Sequence, residues 1–329
     1  MAPRLQASKH DGMVFGSSMG NDSSLTLRGK SLFSDETVAV EFIWNPALTQ
    51  PLIRWPGCPQ GMPLAGLGRL SLRANRCTLV SPGKGPVNPT GVETLALTEH
   101  FMAAMILFSS APIEVICHHG VFPLLDGSAD PYLHALRKLG EPYGVVDEHP
   151  LECESSFSCR WEWENGYLQA EPSDRFQATY EISREDFESA CALESSAQIH
   201  SLLAPARTFI FADDFLKIHS AGGLAGADWG MGLVLSGSAA ESSRWRGFLA
   251  GSPVDNQEHG GKKVLATGLL HPGSYRFPNE PARHKMLDLV GDLALLGLQL
   301  PRLRLRLRNA GHLHHHRLLE ALIHERAYS

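Results

Sequence analysis

The sequence is poor in the features that mark the more specialised protein classes. Its 329 residues hold only six cysteines, scattered and with no C-x2-C pair. That pattern provides neither a disulfide framework nor a cysteine zinc knuckle, and it fits a reducing cytosol. No run reaches the roughly eighteen consecutive apolar residues that a membrane-spanning helix needs. Met1 to Lys30 is polar and Gly/Ser-rich and lacks the apolar stretch of a signal peptide. There is no excess of positive charge either: the net charge of −6 gives no global bias toward nucleic acid or a membrane surface. Hydrophobic residues make up 43% and charged residues 19%, a globular balance, and the length allows about two domains.

What is present reads as short strands mixed with a few helices. Residues 1–24 form a loose lead-in. Val38, Val40, Phe42 and Trp44 alternate over Thr37–Trp44, which predicts a half-buried strand. Residues 45–66 are Pro/Gly-rich loop with short strands, and Leu70 to Val80 is strand-like again. Ser81 to Gly91 is a loop whose Gly-Lys-Gly lacks the spacing of a phosphate-binding loop. An apolar helix opens after Thr98, a candidate N-cap. Ile113–Cys117 predicts a buried strand, and Pro131–Leu139 a helix. The acidic, proline-bearing segment 140–156 divides the chain into a first domain, residues 1–145, and a second, residues 146–329. The second opens with a hairpin turning at Asn165-Gly166, followed by a strand over Phe176–Ile182 and a helix over Asp186–Cys191. Arg207–Phe211 and Leu233–Leu235 are further short strands, and residues 236–262 are a polar, glycine-rich insert. Both halves then follow an α+β plan, strands packed against a few helices, used twice.

The chemistry is concentrated in Arg283–Asp292. Met286, Leu287, Leu289, Val290 and Leu293 recur at helical spacing, so His284 and Asp288 share one face, with Asp292 a turn further on. An imidazole and a carboxylate one turn apart are part of a catalytic zinc site; the bland alternative is a helix showing them to water. A third ligand must come from elsewhere. His100 is a candidate because Glu99 beside it would sit next to metal-held water as a base; otherwise the pair is a charged first helical turn.

Several ordered motifs then resemble one family. Thr98-Glu99-His100-Phe101-Met102-Ala103-Ala104 is similar to the V-E-H-L-x-A-A of the zinc-dependent UDP-3-O-acyl-N-acetylglucosamine deacetylases. Leu125-Asp126-Gly127-Ser128-Ala129 resembles their M-D-G-S-A. Arg207-Thr208-Phe209-Ile210-Phe211 resembles R-T-F-G-F, with Asp214 at the matching distance. Arg283 to Leu293 is similar to R-H-K-x-L-D-x-x-G-D-L, and Gly311-His312 to the G-H before the closing helix. The likeness runs from about residue 25 to 323. It implies two similar α+β halves with the active site between them, zinc as cofactor, and an acylated UDP-sugar as substrate. It implies that His100, His284 and Asp288 are the zinc ligands, Glu99 the general base and His312 the general acid, with Asp292 holding the charged imidazole. Thr208 would stabilise the oxyanion, Lys285 and Asp214 would contact substrate, and Phe209 and Phe211 would line the acyl side. The product would be acetate, released in lipid A biosynthesis in the cytoplasm, by a monomer.

The chain departs from the family's G-L-H-T-G, where Phe33 stands at the histidine, and from its G-G-S, where Asp228 brings an acid. A zinc deacetylase with a diverged N-acyl substrate, and a catalytically silent binding relative, are the alternatives. Arg302, Arg304, Arg306 and Arg308 share one strand face. That face reads as solvated, or as a basic surface for a diphosphate or for peripheral contact with an anionic membrane; nucleic acid fits less well because the total charge is negative and aromatic interleaving is missing. His314, His315 and His316 read as exposed residues at a helix start, and Trp161 and Trp163 as core.

Overall fold

The computed structural model describes residues 24–72, 77–81, 93–140, 150–238, 240–242, 245, 268–270 and 274–328. The lead-in before residue 24, most of the 81–91 loop and most of the 236–262 insert lie outside the described residues.

Each half is built on a five-stranded sheet, and the two sheets repeat one strand order. In the first, the hairpin Ser24–Lys30/Thr37–Trp44 lies on one side of Ile113–Cys117 and the hairpin Leu52–Trp55/Cys58–Pro63 on the other. In the second, Cys159–Trp163/Gly166–Pro172 and Gln177–Arg184/Phe187–Leu193 flank Leu303–Arg308. In both, the late central strand pairs antiparallel with the first hairpin and parallel with the second. The architecture is therefore α+β with two sheet-rich halves. One continuous cluster of buried apolar residues runs through both.

Local sequence explains most of the elements. Leu25 faces Phe42 and Leu27 faces Val40 across the first hairpin, so the alternation sets the register. The central strand Leu303–Arg308 buries Leu303, Leu305 and Leu307 and leaves Arg304 and Arg308 exposed, as the alternation predicts. The hairpin at 159–172 forms one residue earlier than expected, with Glu164-Asn165 at the turn.

Two readings need correction. Asp186–Cys191 is not helical: Phe187–Leu193 is a strand. Glu185 adopts φ 51° in a two-residue turn, and the strand after it pairs antiparallel with Gln177–Arg184, burying Phe187, Cys191 and Leu193. Long-range pairing overrides a local composition that suits a helix. Leu70–Val80 is not one strand: Leu64–Leu70 is a 3-10 helix, and among the described residues that follow, Ser71–Leu72 and Leu79–Val80 are extended while Cys77 and Thr78 are not.

Two helices position the site. Glu99–Met105 is buried along its whole length, its Phe101 ring stacked between Phe42, at a centroid distance of 5.9 Å, and Phe122, at 4.7 Å. Glu280–Ala294 packs against that helix and against the second sheet. Gly291 permits the crossing: a Cβ there would lie 2.0 Å from the Glu99 carbonyl oxygen. The closing helix His312–Tyr328 packs on Glu280–Ala294 in turn.

Candidate active site

The two crossing helices bring together side chains almost two hundred positions apart. His100, His284 and Asp288 each offer one ligand atom, all within 4.8 Å of one another and all buried. His100 Nε2 lies 3.6 Å and His284 Nε2 3.2 Å from Asp288 Oδ1. Yet His284 Nε2 and Asp288 Oδ1 are buried with no hydrogen-bond partner. The other nitrogen of His284, Nδ1, donates to the Ala206 carbonyl at 2.9 Å. A carbonyl only accepts, so Nδ1 carries the proton and Nε2 turns its lone pair inward. Buried polar atoms left unmet are costly unless something else satisfies them. An imidazole oriented by a backbone carbonyl and aimed at a carboxylate it does not bond is the usual arrangement of a metal ligand. The donor set, two imidazoles and a carboxylate, suits zinc.

Glu99 and His312 flank this trio. Glu99 Oε2 accepts the Thr78 amide at 3.1 Å, and Oε1 lies 3.9 Å from His312 Nε2. Burial pushes the Glu99 carboxyl up, against the pull of His312 and His100. His312 Nε2 is 3.6 Å from Asp288 Oδ2, and its Nδ1 donates to Asp292 Oδ2 at 2.8 Å. Burial works against a charged imidazole, but Asp292 and Asp288 outweigh it and raise His312 to about 9. Burial likewise opposes the charge on Asp288; His284, Lys285, His312 and His100 together hold it well below the usual carboxylate range. Lys285 Nζ reaches Asp288 Oδ2 at 2.8 Å.

A cavity of about 930 Å³ opens onto these groups. Glu99, His100, Asp288 and His312 form its polar end; Leu32, Leu97, Phe209, Phe211, Phe215 and Ile218 are among its apolar walls. Mostly apolar walls with a few convergent polar groups are the ordinary form of a small-molecule site. Thr208 lies on the wall, held by its amide to Gly127 O at 2.6 Å and by its carbonyl to Leu233 N at 2.8 Å. Gly127, at φ 81°, is the turn that allows this approach; a Cβ there would meet Met231 O at 2.4 Å. Phe209, Phe211, Lys285 and Asp214 also border a second, adjoining cavity. Asp214 is half-exposed and paired with Arg184. His284 and Asp292 lie behind the wall.

Glu99, His100, Thr208, Phe209, Phe211, Asp214, Lys285, Asp288 and His312 thus all line one cavity, with His284 and Asp292 behind them. Thr98 does not act as a cap: it has helical φ and ψ, and its hydroxyl makes no cap bond and is buried without a partner. His315 and His316 are wholly buried, not exposed, and His314 stacks on Trp163 at 3.8 Å between centroids. The sequence carried a signal for this: His312, His315 and His316 are three and four residues apart, one face of a helix. His315 Nδ1 donates to Asp292 Oδ2 at 2.8 Å, and His316 Nε2 lies 3.4 Å from Oδ1, which also accepts the Thr78 hydroxyl. Asp292, His312 and His315 are close enough to suggest a second metal cage. The two imidazole protons already on one carboxylate oxygen make them a hydrogen-bonded group instead.

A family model described as LpxC, UDP-3-O-acyl N-acetylglycosamine deacetylase, matches residues 22–246 and 261–324. The UDP-3-O-acyl-N-acetylglucosamine deacetylase of a Synechocystis species is 28% identical over 246 residues, 70% of this chain and 73% of that protein. The bifunctional enzyme LpxC/FabZ of Porphyromonas gingivalis is 27% identical over 227 residues, 66% of this chain. The chain spans only 46% of that bifunctional protein's length. The Chlamydia trachomatis protein named UDP-3-O-acyl-N-acetylglucosamine deacetylase is 24% identical over 214 residues, 62% of each chain.

Proposed function

We propose that this chain, which belongs to the UDP-3-O-acyl-N-acetylglucosamine deacetylase family, is a zinc-dependent amide hydrolase that removes acetate from UDP-3-O-acyl-N-acetylglucosamine, a step of lipid A biosynthesis. The observation that carries the proposal is the pair of unmet buried atoms, His284 Nε2 and Asp288 Oδ1, with His100 from a second helix beside them. His100, His284 and Asp288 would hold the ion. When bound, zinc supplies Lewis-acid polarisation of the carbonyl and makes water acidic enough to attack at neutral pH.

The protein's own groups supply the proton transfers. Glu99, with Oε2 tethered to the Thr78 amide, keeps Oε1 free to take a proton from the attacking water. His312 in its charged form presents Nε2–H toward the site while Asp292 stabilises that charge from behind. It gives this proton to the departing amine, without which the tetrahedral intermediate reverts to amide. Thr208 supports the developing oxyanion from the cavity wall. Lys285 orients the substrate next to Asp288, Asp214 contacts it at the rim with Arg184, and Phe209 and Phe211 border the acyl chain. No helix among the described residues is long and apolar enough to cross a membrane, and none of the six cysteines forms a disulfide. A monomer working in the cytoplasm is part of the same proposal.

A second reading, a deacetylase whose N-acyl substrate differs, is favoured by Phe33 and Asp228, which both line the cavity; Asp228 lies 3.7 Å from Lys30. Metal analysis of the purified protein combined with an acetate-release assay tests both. Zinc near one equivalent with release from the acylated UDP-sugar alone supports the first reading. Release only from another N-acetyl sugar selects the second. No metal and no release from any of them overturns the enzymatic proposal.

A further inference from the structure

Behind His312 the structure carries a second imidazole with no part in the proton transfers above. His315 lies one helical turn beyond His312, is wholly buried, and shares the same oxygen of Asp292, with each Nδ1 at 2.8 Å from Oδ2. Its other nitrogen, Nε2, is 3.0 Å from the hydroxyl of Tyr180, a buried residue of the second sheet. The proton positions follow from the partners. Asp292, surrounded by three histidines and a threonine, stays ionised and only accepts, so His315 Nδ1 donates. Burial holds His315 neutral, down to about 4, so Nε2 keeps its lone pair and the Tyr180 hydroxyl donates to it. The order is fixed: Tyr180 O–H to His315 Nε2, His315 Nδ1–H to Asp292 Oδ2, and His312 Nδ1–H to that same oxygen.

We propose that His315 is a positioning residue for His312, clamping Asp292 from the side opposite the site and tying it through Tyr180 to the second sheet. Without it, Oδ2 of Asp292 has one fixed donor instead of two, and the carboxylate is held against turning only by His312 and by the Thr78 hydroxyl on Oδ1. His312 would then lose the fixed partner that keeps its Nδ1–H pointing backward and its Nε2 toward substrate. The positioning role presupposes the general-acid role proposed for His312. A neutral donor with an acceptor behind it is what the position needs, and an asparagine can supply both with its amide.

The test compares His315→Leu, His315→Asn and Tyr180→Phe in the full-length, metal-loaded chain. Each is read by metal content, by kcat and KM for acetate release, and by proton NMR of the strongly hydrogen-bonded imidazole N–H signals. Loss of a partner that orients an active-site histidine typically costs about 10–100-fold in activity. We expect H315L to lower kcat by about that factor with little change in KM or metal content, and to remove one downfield N–H signal while shifting that of His312. H315N restores most of kcat, and Y180F gives a smaller loss with a shifted His315 signal. Unchanged kcat and an unchanged His312 signal in H315L overturn the inference, as does an H315N no better than H315L. If H315L does not fold, H315N and Y180F decide: wild-type behaviour of the His312 signal and of kcat in Y180F overturns it. Full activity of His312→Ala would instead remove the general-acid reading beneath it, a separate failure, and the NMR signals would still report whether His315 fixes the His312 ring.

Discussion

Gly291→Ala is the smallest change that tests how the site is assembled. The added Cβ would lie 2.0 Å from Glu99 O, 2.7 Å from its carbonyl carbon and 3.0 Å from its Cα. All three are backbone atoms of a buried helix, so no side chain can swing aside. Reaching ordinary contact near 3.4 Å requires the helices to part by more than about 1 Å. His100 rides on one helix, His284 and Asp288 on the other. Ligand distances in metal sites tolerate only about ±0.2 Å, so the shift would break the coordination proposed for these three side chains. The overpacking itself costs about 1–3 kcal/mol, and a displacement of about 1 Å costs on the order of 10²-fold in turnover. The assay is metal content after dialysis against a weak chelator, urea unfolding, and acetate release. We expect a folded protein with less metal and activity down about a hundredfold or more. If G291A holds metal and turns over as the wild type does, the helix crossing does not set the site and the reasoning fails.

Other substitutions separate the proposed roles. His284→Ala should abolish metal retention, whereas His312→Ala should keep the metal and lose about 10²–10⁴ in turnover; metal content and acetate release, measured together, check both. Glu280 is wholly buried, accepting from Arg207 Nε at 2.8 Å and Nη2 at 3.1 Å, from the Arg207 amide at 3.0 Å and from the Arg276 amide at 2.6 Å. Glu280→Ala strands the Arg207 charge and should cost about 3–5 kcal/mol in urea unfolding, loosening the Thr208 segment next to it. The pH dependence of the metal-depleted protein follows from His312. Its folded value of about 9 exceeds the ordinary 6.5, so its stabilisation is complete below pH 6.5 and is lost as pH rises through 9. That difference corresponds to at most about 3 kcal/mol. Wild type should therefore lose stability relative to His312→Gln between these pH values, and parallel urea midpoints for the two would refute the assignment.

The fold was legible wherever alternation had one buried face. Thr37–Trp44 and Ile113–Cys117 fall at their expected bounds, and Leu303–Arg308 takes the alternating faces expected of a strand there, because each strand has one side against the core. Phe187–Leu193 was not legible, because Glu188, Ser189 and Ala190 carry little apolar contrast and the pairing partner decides the conformation. The helix bearing His284 and Asp288 announced its own face. Glu99 beside His100 marked it as a candidate partner, but nothing local to residues 98–105 says which helix crosses them. The histidines after His312 were misread by treating a polar run as surface. On a helix their three- and four-residue spacing gives one stripe, and the carboxylate that stripe needs was already in view at Asp292.

Asp288 and Asp292 show why one helix can hold two buried carboxylates for different ends. They are one turn apart, 1% and 0% exposed. Leaving either charged and unmet would cost several kcal/mol. Asp292 is met by the protein alone: His312 and His315 on one oxygen, the Thr78 hydroxyl on the other with His316 beside it. Asp288 has Lys285 on Oδ2, while Oδ1 faces the His100 and His284 nitrogens and bonds to neither. A cation among those three atoms would satisfy what the protein leaves open at Asp288, and it would add nothing at Asp292. The metal-binding reading therefore rests on the contrast between the two positions, since acidity and burial are common to both.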